Sequence, residues 1–225
     1  MFDYEMHMHT KEASRCASSS IEEMIDAYMA IGFSGAVITN HFIGGNTGID
    51  RNLPWEDFID AFSAPYFKGK EMGEQKGFDL LFGLEQSYGP GEFLVYGIEP
   101  SWLRAHPELH TKDIGIWFQA VTEVGGFMAY AHPFRIRPMP PMEELTLPDM
   151  TKVHGVEAYN RGNYPGENEM AVRILQGSRA GTAGSDTHNA SFSKAFGIPV
   201  SKRIGSNAEL AAILHSKQFS LRLDY

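Results

Sequence analysis

An α/β fold of barrel or doubly wound type is predicted, and three observations predict it. Short apolar runs such as Gly35-Ala36-Val37-Ile38 and Phe127-Met128-Ala129-Tyr130-Ala131 alternate with stretches of helical pattern. Such runs suit strands buried on both faces, and the alternation suits a mainly parallel sheet covered by helices. The chain has 225 residues with 43% hydrophobic content, enough core for one domain of this type. Residues able to ligate a metal recur at the C-terminal ends of the strands, the edge that carries the active site in α/β barrels. No internal repeat, low-complexity tract or linker interrupts the sequence, so residues 1–225 read as a single domain.

The first strand is Tyr4-Glu5-Met6-His7-Met8-His9-Thr10. Alternation along a strand puts His7 and His9 on one face and Met6 and Met8 on the other. A polar loop leads to Ser20-Ile21-Glu22-Glu23, a capping box that opens a helix to about residue 31, closed by Gly32. Gly35 to Asn40 is the second strand, with His41 at its end. A Gly/Asn-rich loop at 42–54 precedes a helical stretch from Pro54 to about Gly77, with a kink expected at Pro65. Residues 79–85 and 92–97 are the third and fourth strands. Their link is too short for a parallel crossover, so they form a hairpin that brings Glu85 near Glu92.

A helix over 111–124 leads to the fifth strand, 127–131, which ends at His132-Pro133. A Pro-rich loop covers 137–148; the loops at 42–53 and 134–148 are long enough to shape a pocket. The sixth strand is 155–160, a helix follows over 167–175, and the seventh strand, 180–186, ends in Asp186-Thr187-His188. A second capping box, Ser206-Asn207-Ala208-Glu209, opens a helix to about residue 215, and 219–223 alternates as a last edge strand.

Composition excludes several function classes. No apolar run approaches the ~18 residues of a membrane span, and acidic Asp3 and Glu5 stand where a secretory leader would be basic. The single cysteine, Cys16, excludes an intrachain disulfide framework and suits a reducing compartment, so a cytoplasmic location is expected. A formal charge of −9 argues against general nucleic-acid binding and against an anionic membrane surface. A small phosphorylated substrate remains compatible, because a local metal cluster outweighs the global sign. Oligomeric state is not legible.

His7, His9, His41, Glu85, His132, Asp186 and His188 each fall at or just past the end of a predicted strand. Their motifs are His7-Met8-His9-Thr10, Thr39-Asn40-His41, Gly83-Leu84-Glu85, Ala131-His132-Pro133, Glu157-Ala158-Tyr159-Asn160 and Gly184-Ser185-Asp186-Thr187-His188. In content and order, and over almost the whole chain, they resemble the PHP (polymerase and histidinol phosphatase) superfamily. The resemblance implies a distorted seven-stranded (β/α)7 barrel and a centre of two or three divalent transition-metal ions, Zn, Mn or Fe.

By position, the resemblance implies that His7, His9, Glu85 and Asp186 hold one metal. Glu85 bridges to a second, completed by His132 and by Glu92, which stands where the family usually has histidine. A third site resembles His41 plus His188. Arg15 occupies the place of its remaining ligand, and Asn40 stands where an aspartate commonly precedes the histidine. Arg15 is instead suited to neutralise phosphate there, and Arg135 and Arg161 fall on the same face with guanidinium groups suited to bidentate phosphate binding. The implied activity is hydrolysis of a small phosphomonoester by a metal-bridged hydroxide, with His188 or His41 protonating the leaving oxygen.

Two other readings stay open. Amidohydrolase-like enzymes that cleave C–N bonds also begin with His-x-His on a first barrel strand, although they usually need eight strands and often a bridging lysine, and no lysine falls at a strand end here. A non-catalytic PHP-like module that binds metal for stability or contacts a partner is the third reading, kept open by Asn40 and Arg15. His106, His110, His154 and His215 belong to no constellation.

Overall fold

The computed structural model describes residues 1–89, 91–111, 113–135, 149–164, 166–175 and 179–224. The Pro-rich stretch 137–148 lies outside them. In chain order the elements are β1 (Phe2–Met8), α1 (Ile21–Ala30), β2 (Gly35–Ile38), α2 (Trp55–Lys76), β3 (Asp79–Tyr88) and β4 (Gly91–Tyr96). Then come α3 (Pro100–Arg104), α4 (Ile114–Glu123), β5 (Phe127–Tyr130), β6 (Gly155–Asn160), α5 (Glu167–Leu175), β7 (Ala180–Gly184), β8 (Phe196–Val200), α6 (Asn207–Ser216) and β9 (Arg222–Leu223).

All nine strands form one sheet in the order β7-β6-β5-β4-β3-β2-β1-β8-β9. The β1–β2–β3 and β5–β6–β7 ladders are parallel, and β4 runs antiparallel to both of its neighbours. The sheet curls until the chain leaving β7 meets the end of β1. Asp186 N–H donates to the His7 carbonyl at 2.8 Å, and His9 N–H donates to the Thr187 carbonyl at 2.9 Å. The result is nearly barrel-like, but it is a nine-stranded sheet and not the expected (β/α)7 barrel.

The difference lies at β8. Its N-terminal partner is the other half of β1: Phe2, Asp3 and Tyr4 face Val200, Pro199 and Ile198. A proline within so short a run reads as an interruption, because it cannot donate to a ladder. Here Pro199 is tolerated inside an antiparallel pairing of only a few residues. The predicted edge strand at 219–223 shortens to Arg222–Leu223, paired to β8.

The first capping box forms: Ser20 Oγ accepts from Glu23 N–H while Glu23 returns the bond to the Ser20 N–H. The second forms by half: Ser206 Oγ accepts from Glu209 N–H, but the Glu209 carboxylate reaches back to the Gly205 N–H at 2.8 Å instead of that of Ser206. The helix expected from residue 111 begins at Ile114, where the Asp113 carboxylate caps the Gly115 N–H. The α2 helix runs as one element through Pro65.

One local expectation fails. Met6 and Met8 do not share a face. The β1–β2 register shifts between Glu5 and Met8. Met6 joins Tyr4, Val37, Leu81, Leu94 and Leu210 in the core closed by α6, whereas Met8 packs with Ile21, Met24, Phe42 and Phe58 beneath α1 and α2. The cause is Glu5, whose fully buried carboxylate accepts from the N–H groups of Met6 and His7 at 2.9 Å each. It also accepts from Ser185 N–H at 2.8 Å and from the Tyr28 hydroxyl at 2.9 Å. A β-bulge needs partners for the donors it takes out of the ladder, and Glu5 supplies them. Burial lifts its carboxyl to about 7, against the bonds it accepts from Ser185, His7 and Tyr28.

Replacing Glu5 by alanine strands three backbone donors in the interior and leaves the Tyr28 hydroxyl with Thr187 Oγ1 alone, at 2.6 Å. The expected destabilisation is about 3–5 kcal/mol, read as a lowered urea midpoint. A surface carboxylate such as Glu22, replaced in the same way, is expected to leave the midpoint within about 0.5 kcal/mol.

Candidate metal centre

Six strands bring residues to one point. The end of β1 supplies His7 and His9, and the segment after β2 supplies His41. The hairpin strands β3 and β4 carry Glu85 and Glu92. The turns leaving β5 and β7 supply His132, Asp186 and His188. His7, His9 and Glu85 are fully buried, and His41 and His132 nearly so. Imidazole Nε2 atoms of His7 and His9 lie 3.0 Å apart. Asp186 Oδ1 lies 3.4 Å from the first and 3.1 Å from the second. Glu85 Oε1 lies 3.3 Å from His7 Nε2 and 3.2 Å from His132 Nε2, so one carboxylate touches both sets of histidines.

Glu92 sits across the hairpin from Ser87, two residues beyond Glu85 on the same face. Its carboxylate reaches His132 Nε2 at 3.5 Å and His41 Nδ1 at 3.9 Å. The hairpin therefore does bring Glu85 and Glu92 to one place. The ring nitrogens of His9, His41 and His188 form a further group within 4.8 Å of one another.

Two of these residues hold unusual backbone. His132 has φ 25° and Asp186 φ 54°. Non-glycine residues in this region cost of order 1–3 kcal/mol, and such conformations concentrate where a side chain must be aimed. Asp186 is held there by the sheet-closing bond to His7. His132 is held by its own N–H, which donates to Glu157 Oε2 at 2.9 Å.

The supporting shell fixes which ring nitrogen each histidine presents. His7 Nδ1 meets Glu157 Oε1 at 3.0 Å, and His188 Nδ1 meets the Asp186 carbonyl at 2.9 Å. Both partners only accept, so each Nδ1 carries a hydrogen and Nε2 is the nitrogen left to face an ion. His9 Nδ1 meets Ser14 Oγ at 3.1 Å, and Ser14 already donates to Asn40 Oδ1 at 2.9 Å, so His9 follows the same rule. An acceptor behind each ligating histidine is the arrangement that metal sites use to set tautomer and basicity. Asn40 is part of this scaffold: its Oδ1 also accepts from Thr10 N–H at 2.7 Å.

Glu157 was not singled out from the sequence as a site residue, although its motif was. Its Oε2 accepts from both His132 N–H and Asn160 Nδ2. The available signal was a carboxylate in an otherwise apolar strand, Gly155-Val156-Glu157-Ala158, which needs a buried partner.

The arginines divide. Arg135 donates to Asp186 Oδ2 and to Asn160 Oδ1, and its Nε donates to Asn163 Oδ1 at 2.9 Å. It stands at the rim of the cluster. Arg161 is exposed and lines a neighbouring cleft with Asn160, Asn163 and Tyr164. Arg15 is exposed, with its backbone N–H on the Asn46 carbonyl. The next residue, Cys16, is exposed as well, with its thiol free.

Electrostatics concentrate here. Burial disfavours the charged forms of Glu85 and Asp186, yet the His7 imidazolium and neighbouring rings hold both well below the usual carboxylate range. Burial likewise opposes charge on His7, but Asp186, Glu157 and Glu85 together raise it well above an ordinary histidine. His41 rises to about 10 against its burial, through Cys16 and Glu85. His9 falls to about 3, through burial and the adjacent His41. Protons on His7 and His41 thus offset the carboxylates, and a divalent cation between the same donors would replace them.

The donor set fits such ions: mixed imidazole nitrogen and carboxylate oxygen suit Zn, Mn or Fe. Glu85 Oε2 and His41 Nδ1 approach to 2.8 Å but out of hydrogen-bond alignment, so both buried atoms lack a hydrogen-bond partner, and His41 Nδ1 becomes a donor to an ion once its proton leaves. Groups of three ligand atoms within 4.8 Å recur around them: His7/His9/Asp186, His7/Glu85/His132 and His41/Glu85/Glu92.

No family model matches the sequence, and no curated protein does. Solved structures do. A two-domain protein from Bacteroides vulgatus ATCC 8482, described as containing a predicted PHP-like metal-dependent phosphoesterase, aligns with TM-score 0.73 at 16% identity, over 98% of this chain and 64% of its own. A lesion-specific endonuclease from Pyrococcus furiosus aligns with TM-score 0.63 at 11% identity, over 96% of this chain and 56% of its own. An amidohydrolase from Chromobacterium violaceum, with bound sulfate and no metal, aligns with TM-score 0.58 at 14% identity, over 85% of this chain and 90% of its own. The chain thus spans less than two thirds of the first two proteins. At these identities the likeness carries the fold alone, and the fold is that of the PHP-like metal-dependent phosphoesterases.

Proposed function

We propose that this chain is a metal-dependent hydrolase of phosphoric esters, acting on a small phosphomonoester. The observation that carries the reading is the supporting shell. His7, His9 and His188 each direct Nε2 away from an acceptor on Nδ1, and Glu85, Glu92 and Asp186 offer oxygens within the same groups of ligand atoms. A structural site needs only a closed set of ligands. The arrangement here leaves its rim open at Arg135 and His188, both of which are part-exposed.

In this reading His7, His9, Glu85 and Asp186 hold one ion, and Glu85, His132 and Glu92 hold a second. Ions bound there supply positive charge against a phosphoryl group and acidify water at neutral pH. The protein's own groups do the rest. Glu157 keeps His7 in the tautomer that ligates and, through the His132 N–H, keeps that residue in its strained turn. Arg135 exchanges part of its bond to Asp186 for a phosphoryl oxygen, for which its planar fork is suited. His41 and His188 present positive charge where the leaving oxygen emerges, and the leaving group is neutralised at that rim. Composition favours a small substrate over a polyanion: 28 acidic residues face 19 basic ones.

The deciding assay compares metal-loaded and metal-stripped protein on p-nitrophenyl phosphate, a panel of phosphomonoesters, a phosphodiester, single-stranded DNA and a panel of amides. Turnover of phosphomonoesters by the loaded protein alone is expected. Preferential cleavage of amides or of DNA would replace the reading with one of its neighbours. Asp186→Ala is expected to abolish turnover; a site that is only structural would lose melting temperature and nothing else.

Glu157→Gln is expected to weaken metal binding or turnover by about 10–100-fold while the fold persists, because the amide no longer enforces the His7 tautomer. Isothermal titration with Zn2+ or Mn2+ in buffers of different ionisation enthalpy checks the electrostatics. The protons that His7 and His41 hold must leave when an ion binds. Binding should therefore release protons at neutral pH, and affinity should rise with pH.

A further inference from the structure

Asp186 presents its carboxylate from left-handed backbone, with φ 54°, and the residues on either side of it are tied to other elements. Ser185 N–H donates to Glu5 Oε1 at 2.8 Å, and the Thr187 hydroxyl meets the Tyr28 hydroxyl at 2.6 Å. Tyr28 stands in α1, 159 positions from Thr187 in sequence, and is fully buried. Its one hydroxyl hydrogen goes to Glu5 Oε2 at 2.9 Å, so Thr187 supplies the hydrogen of the second bond. Among the described residues no other hydrogen bond reaches the Thr187 hydroxyl.

These bonds form a relay between the β1 bulge and the turn after β7. Glu5 takes the N–H groups of Met6, His7 and Ser185 on one carboxylate oxygen and Tyr28 on the other. The two segments it joins carry His7 and His9 on one side and Asp186 on the other. The Tyr28 ring has packing of its own, with centroids 5.4 Å from Phe33 and 4.6 Å from Phe192, so ring and hydroxyl are separable. Removing the hydroxyl alone leaves a buried Thr187 hydroxyl without an acceptor beside a strained residue. A turn that loses this tie relaxes toward ordinary backbone. Asp186 Oδ1 then leaves the two β1 rings that it now approaches at 3.4 and 3.1 Å.

We infer that Tyr28 is a positioning residue for the first metal site: through Thr187 it holds the Asp186 turn that aims a carboxylate at His7 and His9. It touches neither ion nor substrate. The inference rests on the metal-centre reading above and separates its two sites, because no bond of the relay reaches His132 or Glu92.

The test uses Co2+ as the probe on the whole chain. Metal-stripped wild type, Tyr28→Phe, Thr187→Val and the double variant are titrated by calorimetry. Bound metal, the visible absorption of the cobalt and the melting temperature of the metal-free protein are recorded beside it. The wild type is expected to bind two ions. In Tyr28→Phe one binding step weakens by about tenfold, with a changed cobalt spectrum for that step alone, and the other step keeps its affinity. Thr187→Val reaches the same bond from its other end, and the double variant is expected to be no weaker than either single one. Met24→Ala, a cavity in the core face of the same helix, lowers the melting temperature at least as far and leaves both binding steps in place. Tyr28→Phe and Thr187→Val that bind both ions as the wild type does, or that weaken both steps alike, overturn the inference. A wild type that binds no Co2+ overturns the metal-centre reading and this inference together. Selective weakening in the variants of a protein that turns over no phosphomonoester supports the inference and removes only the proposed activity.

Discussion

The bond pair that closes the sheet is the constraint on which the rest of this structure depends. Asp186 N–H on the His7 carbonyl and His9 N–H on the Thr187 carbonyl join residues nearly 180 positions apart in sequence. They fix the two ends of the cluster against each other at backbone level, before any side chain is placed. Asp186 takes a left-handed backbone to reach this pairing, and its carboxylate is thereby turned toward both histidines of β1. Without closure, His7 and His9 would be two imidazoles on a strand. With it, they share one side of a polar chamber whose other walls come from β3, β4 and β5.

A second layer makes that chamber tolerable. Burying three carboxylates and several imidazoles is costly unless each is paired and hydrogen-bonded. Glu157 reaches His7, His132 and Asn160; Ser14 and Asn40 tie His9 to the segment after β2; Glu5 absorbs the donors that the β1 bulge releases. None of these three groups needs to touch a substrate. They set ring tautomers and backbone turns, the two quantities that decide whether donor atoms point inward. The same residues therefore serve folding and chemistry, which explains why so many polar groups are buried at one edge of the sheet.

Much of this was legible from the sequence, because local rules govern it. Period and capping boxes located strands and helices, and the position of His7, His9, His41, Glu85, His132, Asp186 and His188 at strand ends follows directly from them. What was not legible depends on distant partners. The bulge that separates Met6 from Met8 exists because Glu5 finds Ser185 and Tyr28, which no window of β1 contains. The strand at Phe196–Val200 is hidden by Pro199, whose cost vanishes in a short antiparallel pairing with β1. Counting positions from His9 selected Arg15, but the loop leaves that residue exposed, and loop geometry carries no periodic signal. Glu157 was visible only as an acidic residue in an apolar strand.

The central claim is that the strand-end cluster is a centre for divalent ions bridged by Glu85. Its most direct test is anomalous diffraction from crystals grown with Zn2+ or Mn2+, recorded at the absorption edge of the metal. The account predicts one anomalous peak among His7, His9, Glu85 and Asp186 and another between Glu85, His132 and Glu92, with the Glu85 carboxylate shared. Crystals that show no anomalous density at these residues at saturating metal, or density only at surface carboxylates, would contradict it.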